Sequence, residues 1–296
     1  MRVFVTGATG FVGSRLAEEL VAHGHYVMAL VRSAEKARAL QARLPEVEIL
    51  IGDMLDPAAM TRGIERADGV AHLAFNHDFS RFAENCETDR ALISLMGDVL
   101  ANSNRPLLIT SGVAMANSVP GMPATEDGAV LGREHHPRAA SEEATRDLAA
   151  RGIRAMVMRL PQVHDRTRFG LISYLFEIWR REGACLWLGD GQQRWPAAHV
   201  RDVAVAYRLA LEKGVRGAAY HAVDESGLTL RAIAEAAAQR MGLPTQGLNL
   251  SEADRFGWLA HFVASDLPAS SELTRQRLGW QPKGPSILED LAAIEV

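Results

Sequence analysis

Cysteine and long apolar runs are both scarce in this sequence. The 296 residues include only two cysteines, Cys86 and Cys185, whose spacing fits neither a disulfide framework nor a zinc site. No apolar run reaches the ~18–20 residues that a membrane-spanning helix requires. Arg2 leads directly into a glycine-rich turn, which is not the pattern of a secretory signal peptide. We therefore expect a cytoplasmic protein, in a reducing compartment, without a membrane partner.

An excess of positive charge is also missing. The chain has 32 Lys+Arg against 36 Asp+Glu, for a formal net charge of −4, and only three of the basic residues are lysine. A mildly acidic chain offers no extended surface for phosphates, so we do not expect nucleic acid as a partner. At 48% hydrophobic and 23% charged, the composition is that of a folded globular protein and excludes long disordered segments.

Short apolar runs alternate with helical patterns over the first 160 residues. Most of these runs are continuously apolar, which is typical of strands buried on both faces of a parallel sheet. The predicted strands are Arg2–Thr6, Tyr26–Val31, Glu48–Ile51, Gly69–Phe75, Pro106–Ser111 and Ala155–Leu160. The alternation predicts an α/β fold, a Rossmann doubly wound parallel sheet, with a smaller C-terminal substrate lobe. We expect the Rossmann domain to span 1–164, with a return near 199–223, and the lobe to lie mainly within 165–296.

A glycine-rich turn joins the first predicted strand to the first predicted helix. In such a turn Gly7 allows the tight bend, Gly10 lets the backbone approach a pyrophosphate, and Gly13 allows close contact between helix and strand. The start of the helix then offers free N–H groups to the phosphates. The predicted nucleotide-binding residues of this turn are Gly7, Thr9, Gly10, Phe11, Val12 and Gly13.

The residue at the end of the second strand distinguishes between two nucleotides. A site specific for NAD has Asp or Glu there, which accepts a hydrogen bond from the ribose 2′-hydroxyl. This chain has Arg32, followed by Ser33. Arginine can pair with a 2′-phosphate through two hydrogen bonds, so the sequence predicts NADP(H) in preference to NAD(H). The alternative is a solvated arginine without a ligand.

These motifs resemble the extended short-chain dehydrogenase/reductase family, that is, the NAD-dependent epimerase/dehydratase group. The resemblance covers nearly the whole chain and includes Gly52–Met54, His72–Phe75 and His199–Ala204. It implies that Asp53 and Met54 contact the adenine. It also implies a nicotinamide site, whose residues are Leu73, Ala74 and Phe75 beside the ribose and Pro161 and Val163 over the nicotinamide, with Ser111 nearby.

The catalytic residues of that family are changed in this chain. The family uses Tyr and Lys four residues apart, together with Ser or Thr. The four tyrosines are followed, four residues later, by Leu30, Ile178, Leu211 and Asp224, none of which is lysine. Local alignment puts Arg138 at the Tyr position and Glu142 at the Lys position. Gly112 falls at the hydroxyl position, with Ser111 as the nearest hydroxyl.

Arginine is not an ordinary general acid, because its pKa stays above ~12. Arg138 can still donate hydrogen bonds to a carbonyl, and Glu142 lies one helical turn away, where the two can pair. His77 and His164 follow strands at the edge where such folds bind ligands, so they are candidate proton donors. Either can instead be a structural hydrogen-bonding residue. The predicted catalytic residues are Ser111, Arg138, Glu142, His164 and His77, and no metal site is predicted.

Three functions are consistent with this sequence. The first is an NADP(H)-dependent oxidoreductase that acts on a small carbonyl or alcohol with a non-standard proton donor. The second is a non-catalytic NADP(H)-binding sensor or partner protein, and the third a redox-neutral epimerase or dehydratase. Members of the family often dimerise through the helices that correspond to Thr88–Ala101 and Ala139–Ala150, so the resemblance makes a homodimer possible.

Overall fold

A parallel sheet of seven strands forms the centre of the molecule. The computed structural model describes residues 1–116, 119 and 121–294. The strands of this sheet are β1 (Arg2–Thr6), β2 (Tyr26–Val31), β3 (Glu48–Ile51), β4 (Gly69–His72), β5 (Leu107–Gly112), β6 (Ala155–Leu160) and β11 (Ala219–His221). Their order is β11-β6-β5-β4-β1-β2-β3, and all neighbouring pairs run parallel. The predicted α/β fold with a doubly wound Rossmann sheet is confirmed.

Helices cover both faces of this sheet. They are α1 (Phe11–Ala22), α2 (Ala34–Arg43), α3 (Pro57–Glu65), α4 (Phe82–Leu100), α5 (Ala139–Ala150) and α7 (Val200–Lys213). Side chains alternate along β1, so Val3 and Val5 pack in a core with α1, α2 and α7, while Phe4 packs on the other face with α3, α4 and α5. The strands therefore consist mostly of buried apolar residues.

The C-terminal part of the chain builds a smaller lobe. A four-stranded sheet has the order β12-β10-β7-β8, and a two-stranded sheet pairs β13 with β9. These strands are β7 (Gln162–Asp165), β8 (Arg168–Phe169), β9 (Cys185–Leu188), β10 (Arg194–His199), β12 (Glu225–Thr229) and β13 (Thr245–Leu248). The helices of the lobe are α6 (Ile172–Glu182), α8 (Leu230–Met241), α9 (Ala260–Ala264) and α11 (Ile287–Ala292), whereas α10 (Glu272–Leu278) packs against α7 and β11 of the Rossmann part. In the described chain, 3₁₀ segments occupy Phe79–Arg81, Val113–Ala116 and Leu250–Leu259.

The lobe has its own apolar core, which contains the buried Trp179, Trp187 and Trp195. By contrast, Leu278 and Trp280 near the C-terminus pack in the core of the Rossmann sheet. The chain thus crosses between the two cores more than once. The division at residue 164, with a return at 199–223, remains a prediction.

Two elements differ in length from the sequence prediction. β4 ends at His72 and not at Phe75, because Leu73 and the two residues after it turn away around the glycine-rich turn. α4 begins at Phe82, six residues before the predicted start at Thr88.

The described residues contain neither a helix suited to span a membrane nor a cluster suited to hold a metal ion. No helix among them is both long and apolar enough to cross a lipid bilayer. No group of three or more His, Cys, Asp or Glu in the same residues is arranged to hold a metal ion.

A buried ion pair links the Rossmann sheet to its neighbouring helix. Arg159 on β6 donates from Nε and Nη2 to the two carboxylate oxygens of Glu142 on α5, at 3.0 and 2.8 Å. Its Nη1 donates to Nε2 of His221 at 3.0 Å, and the Nδ1–H of His221 donates to the Ser270 carbonyl at 2.8 Å. Burial, followed by the charge of Arg159, lowers the pKa of His221 from 6.5 to about 4.

We expect His221 to make the folded protein sensitive to mild acid. Since its pKa is lower in the folded state, its contribution to stability is complete above pH 6.5 and is lost as the pH falls toward 4. From pH 7 to pH 5 the free energy of unfolding should fall by about 2 kcal/mol more in the wild type than in His221→Gln. Urea denaturation at both pH values measures this difference.

The exposed His135 offers a matched control, and His135→Gln should retain the pH dependence of the wild type. An equal pH dependence in the wild type and in His221→Gln would contradict the assignment to His221.

Candidate functional site

The glycine-rich turn packs so tightly that it requires glycine. Gly7 has a φ of +73°, and a Cβ atom on it would lie 2.8 Å from the backbone N of Ala74. A Cβ atom on Gly13 would lie 2.1 Å from the carbonyl oxygen of Gly7. The N-cap of α1, Gly10, has no side chain to occupy the helix N–H groups, and the first turn has no acidic residue. This arrangement fits a pyrophosphate at the start of α1.

The end of β2 carries an unpaired arginine. Arg32 is exposed and makes no hydrogen bond or ion pair with the residues that the structure describes. Ser33 caps α2 by accepting a hydrogen bond from Lys36 N at 3.3 Å. The Gly52 N–H donates to the Val31 carbonyl at 3.1 Å, so the loop with Asp53 and Met54 lies beside the loop with Arg32. The guanidinium is thus free to bind an anion at this edge of the sheet.

A chain of buried polar groups begins next to the turn. Thr6 Oγ1 accepts from Ala74 N at 3.2 Å and lies 2.7 Å from His72 Nδ1. The Nε2–H of His72 donates to Asp89 Oδ1 at 2.9 Å. Asp89 Oδ2 accepts from Arg138 Nη1 at 2.6 Å. Hydrogen bonds therefore connect β1, β4 and α4 to the start of α5.

Arg138, which the resemblance leads us to expect at the family's tyrosine position, is held in place by several contacts. Nη2 donates to the Thr110 carbonyl at 2.8 Å, Nη1 also donates to Ser141, and the guanidinium carbon lies 4.1 Å from the Phe75 ring centroid. Within the described part of the chain, Nε–H and the second N–H of Nη2 have no acceptor. Two donors of Arg138, whose side chain is 14% exposed, thus remain available.

Asp89 balances the charge of Arg138. Burial by itself would raise the pKa of Asp89, but the guanidinium of Arg138, then His72 and then Ser141 bring this pKa well below its ordinary value. The carboxylate is therefore ionised throughout the neutral range, and the pair with Arg138 has no net charge.

Glu142 does not pair with Arg138, contrary to one expectation from the sequence. Arg138 is the N-cap residue of α5, and its side chain extends toward α4, whereas Glu142 faces β6. Both carboxylate oxygens of Glu142 accept hydrogen bonds from Arg159, and the residue is 2% exposed. Its predicted catalytic role is not supported by this geometry.

The hydroxyl groups at the end of β5 have different environments. Thr110 Oγ1 donates to the His72 carbonyl at 2.8 Å and lies 2.7 Å from the hydroxyl of the buried Tyr207. Ser111 Oγ is buried and has no hydrogen-bond partner among the residues described. A Cβ atom on Gly112 would be 4.0 Å from its nearest neighbour, so the space beside this glycine is open. Ser111 therefore keeps a free polar atom at the edge of the sheet.

Aromatic rings surround Arg138 and extend to the lobe. We name the following residues the aromatic wall: Phe75, His77, Phe79, Phe82, His136 and Trp258. Phe79 and Trp258 stack with their centroids 4.4 Å apart and their planes at 20°. Partial desolvation, and then the charge of Arg138, lower the pKa of His77. The His136 pKa is also lowered, by desolvation first and then by His261 and Arg138.

The two histidines that the sequence singled out lie in different surroundings. His77 is in the aromatic wall beside Arg138. His164 is fully buried in the lobe sheet, where Nδ1 is 2.8 Å from Asp290 Oδ2 and the ring stacks on Phe169. Its Nε2 has no hydrogen-bond partner among the described residues and lies 3.9 Å from Glu225 Oε2. His77 and Arg138 thus both pack against Phe75, whereas His164 is held within the lobe.

Sequence reasoning missed several residues of this site. Asp89 lies in a helix without any motif around it, and Phe79 and Trp258 lie in short irregular segments. The run of aromatic residues and histidines from 75 to 82 was the available signal, because such a cluster after a parallel strand lies at the ligand-binding edge.

Known proteins resemble this chain over its whole length. The NAD dependent epimerase/dehydratase family matches residues 3–224. An uncharacterized protein of Schizosaccharomyces pombe is 39% identical over 295 residues, which cover 99% of each chain. The decarboxylating sterol-4-alpha-carboxylate 3-dehydrogenase of Dictyostelium discoideum is 25% identical over 84% of this chain and 79% of that protein.

Solved structures share the fold. The dTDP-glucose 4,6-dehydratase of Streptomyces venezuelae, with NAD and TYD bound, matches with a TM-score of 0.79 and 19% identity, over 99% of this chain and 95% of that one. At this identity the likeness is evidence of the fold alone.

We expect Asp89→Asn to destabilise the protein strongly. The variant leaves the largely buried charge of Arg138 without its counter-ion, which typically costs about 3–5 kcal/mol of unfolding free energy. Asp98→Asn, on the same helix, breaks an exposed pair with Arg151 and should cost at most about 1 kcal/mol. Urea denaturation of both variants measures the difference. Similar losses would mean that Asp89 is not the counter-ion on which Arg138 depends.

Proposed function

The chain belongs to the NAD-dependent epimerase/dehydratase family, and we propose that it is an NADP(H)-dependent oxidoreductase of small carbonyl or alcohol substrates. The family is one of NAD(P)-dependent enzymes of the short-chain dehydrogenase/reductase type. The sterol dehydrogenase among its relatives also supports oxidoreductase chemistry. The substrate and the preference for NADP(H) are proposals about this chain.

The residues around the glycine-rich turn fit a dinucleotide. The turn would hold the pyrophosphate, Asp53 and Met54 the adenine, and Leu73–Phe75 the nicotinamide ribose. Pro161 and Val163 would lie over the nicotinamide, with Ser111 at the same edge. Arg32, unpaired and exposed, would bind the 2′-phosphate, with Ser33 beside it. When bound, the nicotinamide supplies or accepts a hydride.

The observation that carries the proposal is the pair of free N–H donors on Arg138. The oxygen of a carbonyl substrate would gain negative charge as the carbonyl is reduced to an alcohol. Arg138 donates hydrogen bonds to that oxygen as its negative charge develops. Because Asp89 already balances the guanidinium, Arg138 is held in its donor position before the substrate binds.

The substrate oxygen then takes a proton, and we propose that His77 donates it. Since its pKa is lowered, His77 is neutral at pH 7 and can accept a proton in alcohol oxidation. In the reverse direction the imidazolium donates, so reduction should become faster as the pH falls. The sequence also predicts catalytic roles for His164, Glu142 and Ser111. His164 and Glu142 make hydrogen bonds within the fold, whereas Ser111 Oγ has none and could orient the substrate oxygen.

A non-catalytic NADP(H)-binding protein is the second candidate function. Gly112, Arg138 and Glu142 stand at the three positions of the usual catalytic residues, and Arg138 and Glu142 are both in ion pairs within the fold. This alternative predicts binding of the nucleotide without transfer of hydride. A redox-neutral epimerase or dehydratase ranks third, because those enzymes usually depend on the Tyr and Lys that this chain lacks.

Deuterium transfer distinguishes these functions. We expect the wild type to transfer deuterium from labelled NADPH to a carbonyl substrate, as measured by mass spectrometry of the alcohol. Arg138→Lys keeps a positive charge for Asp89 but lacks the planar set of donors, so kcat should fall roughly 100-fold with unchanged binding of NADPH. Arg133→Lys, at an exposed arginine just before α5, is the matched control. Tight NADPH binding without deuterium transfer to any carbonyl tested would favour the second function.

We expect Arg32 to decide the choice of nucleotide. Wild-type protein should bind NADPH about 10–100-fold more tightly than NADH, because charge-assisted hydrogen bonds to the 2′-phosphate are absent with NADH. Arg32→Asp should abolish this preference, and Arg180→Asp, at an exposed arginine on α6, should keep it. Fluorescence titration of both nucleotides measures the ratio. Equal affinities in the wild type would rule out the proposed role of Arg32.

A further inference from the structure

The aromatic wall is a partly exposed surface that begins at the proposed catalytic arginine. Phe75 lies under the guanidinium of Arg138, and ring contacts lead from it to His77, Phe79 and Trp258. The successive ring centroids are 5.2, 6.2 and 4.4 Å apart. A molecule whose oxygen accepts from Arg138 would therefore extend its body across these rings.

The exposed part of the wall lies on the lobe side. Trp258 is 45% exposed, and Tyr174, which meets it edge-to-face at 5.2 Å, is 39% exposed. Trp258 follows Gly257, whose φ of +56° and ψ of −132° are accessible mainly to glycine. This kink orients an indole toward solvent, although burial would have been favourable. Exposed aromatic faces in one continuous patch are typical of binding sites.

The wall carries little charge of its own. At neutral pH His77 and His136 are both uncharged, because their pKa values are lowered. Near the wall, Arg81 is paired with Glu84, and Arg138 is balanced by Asp89. The six residues of the wall are phenylalanine, histidine and tryptophan, so the wall itself supplies no lysine or arginine to pair with the diphosphate of a sugar nucleotide. The faces of these aromatic rings instead match a planar, uncharged small molecule.

We propose that the substrate is a planar aromatic carbonyl compound, bound with its ring on the aromatic wall and its carbonyl oxygen at Arg138. This inference rests on the proposed function, since it names the substrate class of the same site. Trp258 and Phe79 are its specificity-determining residues. They stack on each other across the two parts of the molecule, and the ring of the substrate packs against this pair.

The inference is tested by the binding of matched ketones. We expect 2-acetonaphthone and acetophenone to bind the protein loaded with NADP⁺, which cannot reduce them, about 10-fold more tightly than cyclohexyl methyl ketone, which has similar bulk to acetophenone but no aromatic face. dTDP-glucose should bind more weakly than 2-acetonaphthone. Calorimetry gives the dissociation constants, and quenching of tryptophan fluorescence reports the contact with Trp258.

Variants at the wall separate stacking from a general loss of structure. Trp258→Leu should weaken the binding of 2-acetonaphthone about 10-fold and leave NADPH binding unchanged, while Trp258→Phe should restore most of the affinity. Tyr26→Leu, at a tyrosine 71% exposed on β2, is the control for loss of a surface aromatic residue.

The outcomes distinguish this inference from the proposed function. If the cyclohexyl ketone or dTDP-glucose binds as tightly as 2-acetonaphthone, or if Trp258→Leu has no effect, the aromatic substrate class is wrong even where deuterium transfer occurs. If NADPH does not bind to the wild type at all, the proposed function itself fails, independently of the ketone results.

Discussion

The ion pair between Asp89 and Arg138 is the contact on which the candidate site depends. The carboxylate of Asp89 also accepts a hydrogen bond from His72, which lies beside Thr6 at the edge of the glycine-rich turn. The same carboxylate therefore connects the predicted nucleotide site to the start of α5. A buried charge requires its partner, so neither Asp89 nor Arg138 can lose its charge alone without a large loss of unfolding free energy. This mutual requirement explains how a long, flexible arginine is held in one position.

Two ion pairs involve the residues that the resemblance leads us to expect at the family's catalytic positions. Arg138 pairs with Asp89, and Glu142 pairs with Arg159. The second pair joins α5 to β6, and both carboxylate oxygens of Glu142 accept from Arg159, so it serves the fold. In the first pair, two N–H groups of Arg138 have no acceptor among the described residues, so they can donate to a ligand. The fold of the family is consequently retained, while the groups available for chemistry differ in kind.

The nucleotide side and the substrate side of the proposed site are built from different parts of the chain. The nucleotide side is built from backbone, where glycine at positions 7 and 13 allows contacts that no other residue permits. The substrate side is built from side chains of distant segments, of which Phe79 and Trp258 are the extreme case. Backbone geometry tolerates little variation, whereas a surface of side chains can change one residue at a time. This difference agrees with our proposal of a nucleotide site typical of the family beside an aromatic substrate surface.

Local pattern determined most of the fold and the glycine-rich turn. Continuous apolar runs marked β1, β2, β3 and β6 to the residue, and Asp56, Thr229 and Gly242 act at helix ends as their residue types predict. Only the tertiary structure decided which charges meet. Arg138 finds Asp89, 49 residues away, and not Glu142 one turn further on, because the direction of a side chain depends on packing around it. Burial of His164 and exposure of Trp258 were decided in the same way, since the irregular segments of the lobe acquire their positions only from contacts with distant parts of the chain.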